Sequence, residues 1–211
     1  MEGQTLKYDF IVIGAGSGGM GSGRRAAALG KKVAMIENRV IGGTCVNVGC
    51  VPKKVMLNLA GYMEEASLFK DYGITGTEHL KLDFEHFKER RDGYVKRLNG
   101  IYERNLKNSE VDYFTGTASF TSPTEIETSE GKRLQADHIM IASGSAPSKP
   151  DFEGAEHCWN SDDIFTMTKI PKSMVVIGGG YIGIEMAGIL NALGSDVTLI
   201  VRSKMLRGHV D

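Results

Sequence analysis

Apolar residues in this chain come in short unbroken runs rather than in long alternation. Phe10 to Ile13, Val33 to Ile36 and Met174 to Ile177 are such runs, and Val197 to Val201 is a fourth, interrupted only by Thr198. A short continuous apolar run reads as a strand buried on both faces. Two of the runs, the first and the third, lead into glycine-rich turns and then into helical stretches that end at Gly30 and Gly194. From Asp83 to Leu106, residues Phe84, Phe87, Tyr94, Leu98, Ile101 and Tyr102 recur at helical spacing and predict a long helix with most of them in the core. Between Val111 and Ile141 the runs shorten and alternate, broken by Thr-Gly, Ser-Pro and Glu-Gly, which predicts a β-meander.

The strand–turn–helix–strand pattern occurs twice, at an offset of 164 residues. Gly14, Gly16 and Gly19 fall on Gly178, Gly180 and Gly183; Ala28, Leu29 and Gly30 fall on Ala192, Leu193 and Gly194. This is the start of a Rossmann unit, where bare backbone N–H groups at a helix N-terminus hold a pyrophosphate. One G-x-G-x-x-G is a weak signal, because tight turns produce it without a ligand. Two copies of equal length are a strong one. The expected fold class is therefore α/β, with two Rossmann-like dinucleotide-binding units and a β-meander between them. The expected division is 1–150 for the first domain and 151–211 for the start of the second.

The two copies differ where a ribose would sit. Glu37 follows Gly14 by 23 residues, and an acid there accepts a hydrogen bond from a free ribose hydroxyl, as in FAD or NAD. The same offset from Gly178 falls on Val201, followed by Arg202. Losing the acid and gaining a cation suits the 2′-phosphate of NADP. Arg207 is a candidate second clamp, with a solvated surface arginine as the alternative.

Composition narrows the class further. The 211 residues are 41% hydrophobic, enough for real cores, and the 27 glycines cluster between apolar runs instead of forming linkers. With 25 Lys+Arg against 26 Asp+Glu, nothing points to a nucleic-acid or membrane partner. The N-terminus lacks the basic-then-apolar order of a signal peptide, and Met174 to Leu190 is broken by glycines and Glu185, so a cytoplasmic protein is expected.

Candidate redox chemistry lies between the two glycine turns, in GGTCVNVGCVPKK, residues 42–54. Pro52 is suited to open a helix running through Val55 to Leu59. Cys50 would then lie at that helix's positive end beside Lys53 and Lys54, where a thiolate is favoured. A zinc site is a poor alternative, because Cys158 and the five histidines show no ligand spacing; a plain pair of buried cysteines stays open. Cys158 and Trp159 read as ordinary packing.

The whole run resembles the active-site signature of the pyridine-nucleotide disulfide oxidoreductases, and its Val-Pro-Lys-Lys ending is similar to the glutathione reductases among them. Ala142, Ser143, Gly144 and Pro147 resemble that family's ATGxxP segment, with serine for threonine. The resemblance implies NADPH-dependent reduction of oxidised glutathione through FAD and a redox-active disulfide. It implies that Cys45 attacks the disulfide substrate, that Cys50 faces the flavin, and that Lys53 pairs with Glu185. Gly14, Gly16, Ser17, Gly18, Gly19, Glu37, Gly43, Thr44, Cys45, Lys53, Ala118 and Gly144 are the expected FAD residues. Gly178, Gly179, Gly180, Tyr181, Ile182, Gly183, Glu185, Arg202 and Arg207 are those expected for NADPH, with Tyr181 over the nicotinamide pocket. Ser17, Arg24 and Tyr102 are the expected substrate contacts; core packing for Tyr102 and a plain surface charge for Arg24 are their alternatives.

The same resemblance implies a homodimer in a longer chain, whose later segments complete the NADPH domain and supply a His–Glu acid–base pair. Residues 1–211 alone are then expected to be inactive. Trypanothione reductase and thioredoxin reductase are rival members. The first tends to carry Glu and Trp where this chain has Gly21 and Arg24, a difference that favours an anionic substrate. An inactive FAD-binding fragment is the remaining alternative.

The register supplies a first test. Arg202→Leu is expected to weaken NADPH binding by about 1–3 kcal/mol while leaving NADH nearly unchanged. Equal losses in a titration with both nucleotides would show that Arg202 does not read the 2′-phosphate.

Overall fold

The computed structural model describes residues 4–148, 150–202 and 205–206. Among the described residues the elements are, in chain order, β1 (Leu6–Ile13), α1 (Ser17–Ala28), β2 (Val33–Glu37), α2 (Gly43–Val48), α3 (Cys50–Leu68), α4 (Phe84–Asn108), β3 (Asp112–Thr115), β4 (Ala118–Ser122), β5 (Glu125–Thr128), β6 (Arg133–Ile141), β7 (Ser173–Ile177), α5 (Tyr181–Ala192) and β8 (Asp196–Ile200), with four short 3₁₀ turns besides. They form two compact units, Met1–Cys50 with Tyr94–Ser148 and Val51–Gly93 with Lys149–Asp211.

The first unit is built on a six-stranded mixed sheet in the order β3-β2-β1-β6-β5-β4. β1 pairs in parallel with β2 and β6, and β2 with β3, while β4, β5 and β6 run antiparallel. Alternate residues of β1 and β2 point to opposite faces, as the pleat requires. Val12, Val33 and Met35 enter one apolar cluster with Ala15, Met20, Ile41, Leu106 and Val111. Ile11, Ala34 and Ile36 enter the other with Ile126, Leu134 and Ala136. Burial on both faces is why these strands read as unbroken apolar runs.

The meander is shorter than expected. β3 is not part of it, because Asp112 to Thr115 extends the parallel sheet beside β2. Nor is it a separate sheet, because β6 serves both pairings: Leu134 stands opposite Leu6 on one side and Ile126 on the other. Helix α3 also corrects an expectation. It opens at Cys50 and runs to Leu68, instead of opening at Pro52 and ending at Leu59. The first-turn N–H groups of a helix have no intrahelical acceptor, so proline fits anywhere in that turn and does not mark the first residue.

The sequence repeat is a backbone repeat. Gly14 and Gly178 adopt φ of +108° and +122°, where side chains are strained. Gly14 N–H donates to Ile36 O at 2.7 Å, and Gly178 N–H to Ile200 O at 2.9 Å. A Cβ on Gly19 would lie 1.8 Å from Gly14 O, and one on Gly183 2.4 Å from Gly178 O. Each helix can therefore sit on its turn only because those positions carry no side chain.

In the second unit, β7 pairs in parallel with β8 and α5 contributes Met186, Ile189 and Leu190 to the buried set. The strands bury less than their sequence suggests: Val175, Ile177 and Ile200 remain more than half exposed. The long helix α4 matches its expected span closely, yet Tyr94 is 41% exposed with the Arg97 guanidinium over its ring. A residue without an apolar signal is buried instead. Arg91 is 1% exposed and donates to Phe165 O at 2.6 Å, to Asp92 Oδ1 at 2.7 Å and to Met56 Sδ at 3.5 Å. Its guanidinium thus ties α3 and α4 to the 3₁₀ turn Asp163–Thr166. Arg91→Met keeps the bulk but strands the Phe165 carbonyl, and is expected to cost about 1–3 kcal/mol. A chemical denaturation midpoint equal to wild type would show that the hydrogen bonds add nothing net.

Candidate redox-active site

The loop after β1 turns sharply at Gly14 and releases α1 with no side-chain cap at Gly16. The first N–H groups of a helix lack intrahelical partners, so this end is open to an anionic group. A Cβ on Gly18 would meet nothing nearer than 3.9 Å, and Ser17 and Gly18 are exposed. Glu37, buried at the end of β2, accepts from Ala15 N–H at 2.7 Å through Oε2 and from Arg39 N–H at 2.8 Å through Oε1. Each of its oxygens keeps a further lone pair for a ribose hydroxyl. In the second turn Val201 replaces Glu37, and its Cγ1 lies 2.8 Å from where a Cβ on Gly179 would stand. Where one turn has a carboxylate gripping an amide, the other has a methyl group against a glycine.

The two cysteines flank a second tight region. Gly42 and Gly43 adopt φ of +102° and +61°, and a Cβ on Gly43 would lie 2.7 Å from Gly16 Cα. The loop that leads to Cys45 is thereby pressed against the glycine turn of α1. Gly49 closes the other side, where a Cβ would meet Thr44 O at 2.8 Å. Cys45 sits half-buried on α2 and Cys50 is the exposed first residue of α3, both as free thiols. Burial pushes the Cys45 thiol up, helped by its hydrogen bond to Cys50 and the charge Cys50 carries when ionised. A hydrogen bond from the Ser17 hydroxyl and one from the Cys50 backbone act the other way. Cys45 is thus the sulfur that needs help to ionise.

The remaining sequence candidates fall as follows. Thr44 and Ser17 are on the exposed rim of the first unit's turn region, and Ala118 opens β4 against the second apolar cluster. Gly144 is exposed with φ of +72°. Arg24 is exposed and its Nε donates to Ser109 Oγ at 3.2 Å. Tyr102 packs partly buried against the Val12 cluster. In the second unit Lys53 Nζ and Glu185 Oε1 come together at 2.5 Å, both half-buried, so the ammonium is neutralised within the fold. Tyr181, Ile182 and Arg202 are exposed, and Gly180 caps α5 without a side-chain bond. Arg207 lies outside the described residues. Cys158 and Trp159, expected to pack, are exposed instead.

Sequence reading passed over two asparagines. Asn47 Nδ2 reaches back to the carbonyls of Gly43, Ile41 and Val40 at 2.9, 3.1 and 3.2 Å. Asn99 Nδ2, on α4, donates to Ile41 O at 2.8 Å and Asn47 Oδ1 at 3.0 Å. Asn99 is half-buried beside Leu98, Ile101 and Tyr102, and nothing in the sequence pattern marks it. Among the described residues no cluster of histidine, cysteine and acids could hold a metal, and no helix is long and apolar enough to cross a membrane.

The pyridine nucleotide-disulphide oxidoreductase family model matches residues 8–211. The chain belongs to that family. Among its relatives is a glutathione reductase of Debaryomyces hansenii, 45% identical across 93% of this chain and 46% of the relative. Those of Yarrowia lipolytica and Schizosaccharomyces pombe are 46% and 44% identical, over 93% and 95% of this chain and 44% and 45% of theirs. The chain spans about half the length of the curated relatives it matches. For a member of this family the glycine cradle, the Glu37 carboxylate and the paired thiols form a chemically consistent set.

Because Cys45 is raised, its alkylation rate by iodoacetamide should rise with pH to a midpoint above the ordinary thiol value of about 8.5. Cys50→Ala removes two of the raising causes and should lower that midpoint; Ser17→Ala removes a lowering one and should raise it. Midpoints that move together, or not at all, would contradict this account of the site.

Proposed function

We propose that the protein reduces glutathione disulfide with electrons from NADPH, through FAD and the Cys45–Cys50 pair. The observation that carries the reading is the thiol pair on α2 and α3, pressed by Gly43 against the uncapped end of α1. Identity of 44–46% to three glutathione reductases supports the substrate. Residues 1–150 are proposed as an FAD domain, and 151–211 as the start of an NADPH domain, each begun by one copy of the glycine turn.

The first unit would hold FAD with the α1 N–H groups on its pyrophosphate and Glu37 on its ribose; Gly14, Gly16, Ser17, Gly18, Gly19, Gly43, Thr44, Cys45, Ala118 and Gly144 complete the set. Gly178, Gly179, Gly180, Tyr181, Ile182, Gly183, Glu185 and Arg202 would hold NADPH, and Lys53 stays oriented by Glu185. When bound, FAD supplies the two electrons from NADPH that return the Cys45–Cys50 disulfide to the dithiol.

The thiol steps belong to the chain's own residues. Cys45 thiolate attacks one sulfur of glutathione disulfide; the old S–S bond breaks and one glutathione leaves as thiolate, taking a proton. Cys50 thiolate then attacks Cys45 Sγ, expelling the second glutathione and forming the internal disulfide. Two electrons and two protons pass to two glutathione molecules. Ser17 assists by donating to the Cys45 sulfur, which burial otherwise holds as the thiol. Arg24, exposed on α1, favours an anionic tripeptide over a cationic conjugate. A cytoplasmic homodimer belongs to the same proposal and rests on the resemblance alone.

Cys45→Ser in the full-length protein should abolish glutathione turnover while NADPH still bleaches the flavin band near its usual rate. Continued turnover in that variant would sink the assignment of Cys45.

A further inference from the structure

Helix α2 has six residues, too few to hold itself by its own hydrogen bonds. Its N-cap, Gly42, offers no side-chain bond, so other groups must fix where it points Cys45. Two asparagines do this. Asn47, in the last turn of α2, folds its amide back over the helix start and binds three carbonyls there. Asn99 spends both amide hydrogens on the same spot, one on Ile41 O and one on Asn47 Oδ1. Ile41 is buried in the Val12 cluster and Gly42 N–H donates to Ala15 O at 2.9 Å, so the anchor is itself rigid. Nothing in the packing of α4 calls for an amide at this place: its neighbours Leu98 and Ile101 are partly buried apolar residues.

We infer that Asn99 is a positioning residue for the redox pair, holding α2 through Ile41 and Asn47 so that Cys45 stays within bonding reach of Cys50. The inference rests on the disulfide-reductase reading above and deepens it. Its consequence is an equilibrium one. In the exchange of interest, two glutathione thiols give two electrons and two protons to the Cys45–Cys50 disulfide; that S–S bond breaks and the glutathione disulfide bond forms. A disulfide tolerates only a narrow range of Cα separations and Sγ geometries. A clamped α2 loses little freedom when the disulfide closes, whereas an unclamped one gains freedom in the dithiol form. The clamp therefore favours the disulfide, and its removal favours the dithiol.

The test equilibrates full-length wild type, Asn99→Ala and Asn99→Asp anaerobically in glutathione buffers of defined ratio. After acid quench, thiol labelling and mass spectrometry read the fraction of Cys45–Cys50 dithiol. Asn99→Asp keeps the shape but sets an acceptor against two acceptors, so it decides the matter if the alanine variant does not fold. Both variants should move the equilibrium constant about tenfold toward the dithiol, a potential less negative by about 30 mV. Asn47→Asp should give a similar shift, and the Asn47→Asp/Asn99→Asp double variant little more, because the two amides act as one linkage. A constant within twofold of wild type in the folded Asn99 variants, even with a lowered melting temperature, would overturn the positioning role and leave the disulfide reading intact. A wild-type pair that does not exchange with glutathione at all overturns that reading, and the inference with it.

Discussion

The close approach of α1 to the end of β1 is the contact on which the first unit's turn and cysteine loop depend. Gly14 O occupies space that a Cβ on Gly19 would need, and Gly14 itself takes a backbone conformation open mainly to glycine. With the helix seated there, its uncapped N–H groups face outward at the strand end, and the Ala15 amide comes within 2.7 Å of Glu37. Gly16 then lies against Gly43, which fixes the approach of the next loop. A methyl group at Gly14, Gly19 or Gly43 would spread this stack apart. Four consecutive features, from turn to cysteine loop, hang on three missing side chains.

The cysteine region shows a second use of the same economy. Between Gly42 and Gly49 the backbone is held by close contacts on one side and by amide hydrogen bonds on the other. The result is an asymmetric pair, with Cys45 half-buried under Ser17 and Cys50 exposed at a helix start. Burial opposes ionisation of Cys45, the sulfur proposed to attack the substrate, and the hydroxyl of Ser17 works against that penalty. The proposed attack by Cys45 would therefore speed up at higher pH, since only the thiolate is nucleophilic.

The two copies of the glycine turn share one backbone and differ in the side chain beside it. Helix caps, left-handed glycines and strand-end hydrogen bonds repeat closely. What changes is the side chain after the second strand: a buried carboxylate bound to two amides in one copy, Val201 followed by an exposed arginine in the other. In the proposed reading the backbone forms the pyrophosphate cradle, and the side chain at the next strand end sets the preference for the sugar.

Much of this was legible in the residues themselves. Apolar runs marked β1, β2, β7 and β8, and the glycine spacing marked both turns, because sterics at those positions leave few choices of residue. The CVNVGC run marked the thiol pair for a similar reason of spacing. Other features were decided only in three dimensions. That β6 would pair with β1 and β5 at once depends on which strands lie beside it, and nothing local to Arg133–Ile141 states this. The exposure of Val175 and Ile177 depends on what covers that face, although their sequence matches that of buried strands. Arg91 and Asn99 carry no periodic or motif signal, since their partners at Phe165, Met56, Ile41 and Asn47 are distant in sequence. Steric demands are written at single positions and can be read there; hydrogen-bond partners and strand neighbours belong to pairs of positions, and only the folded chain brings the pairs together.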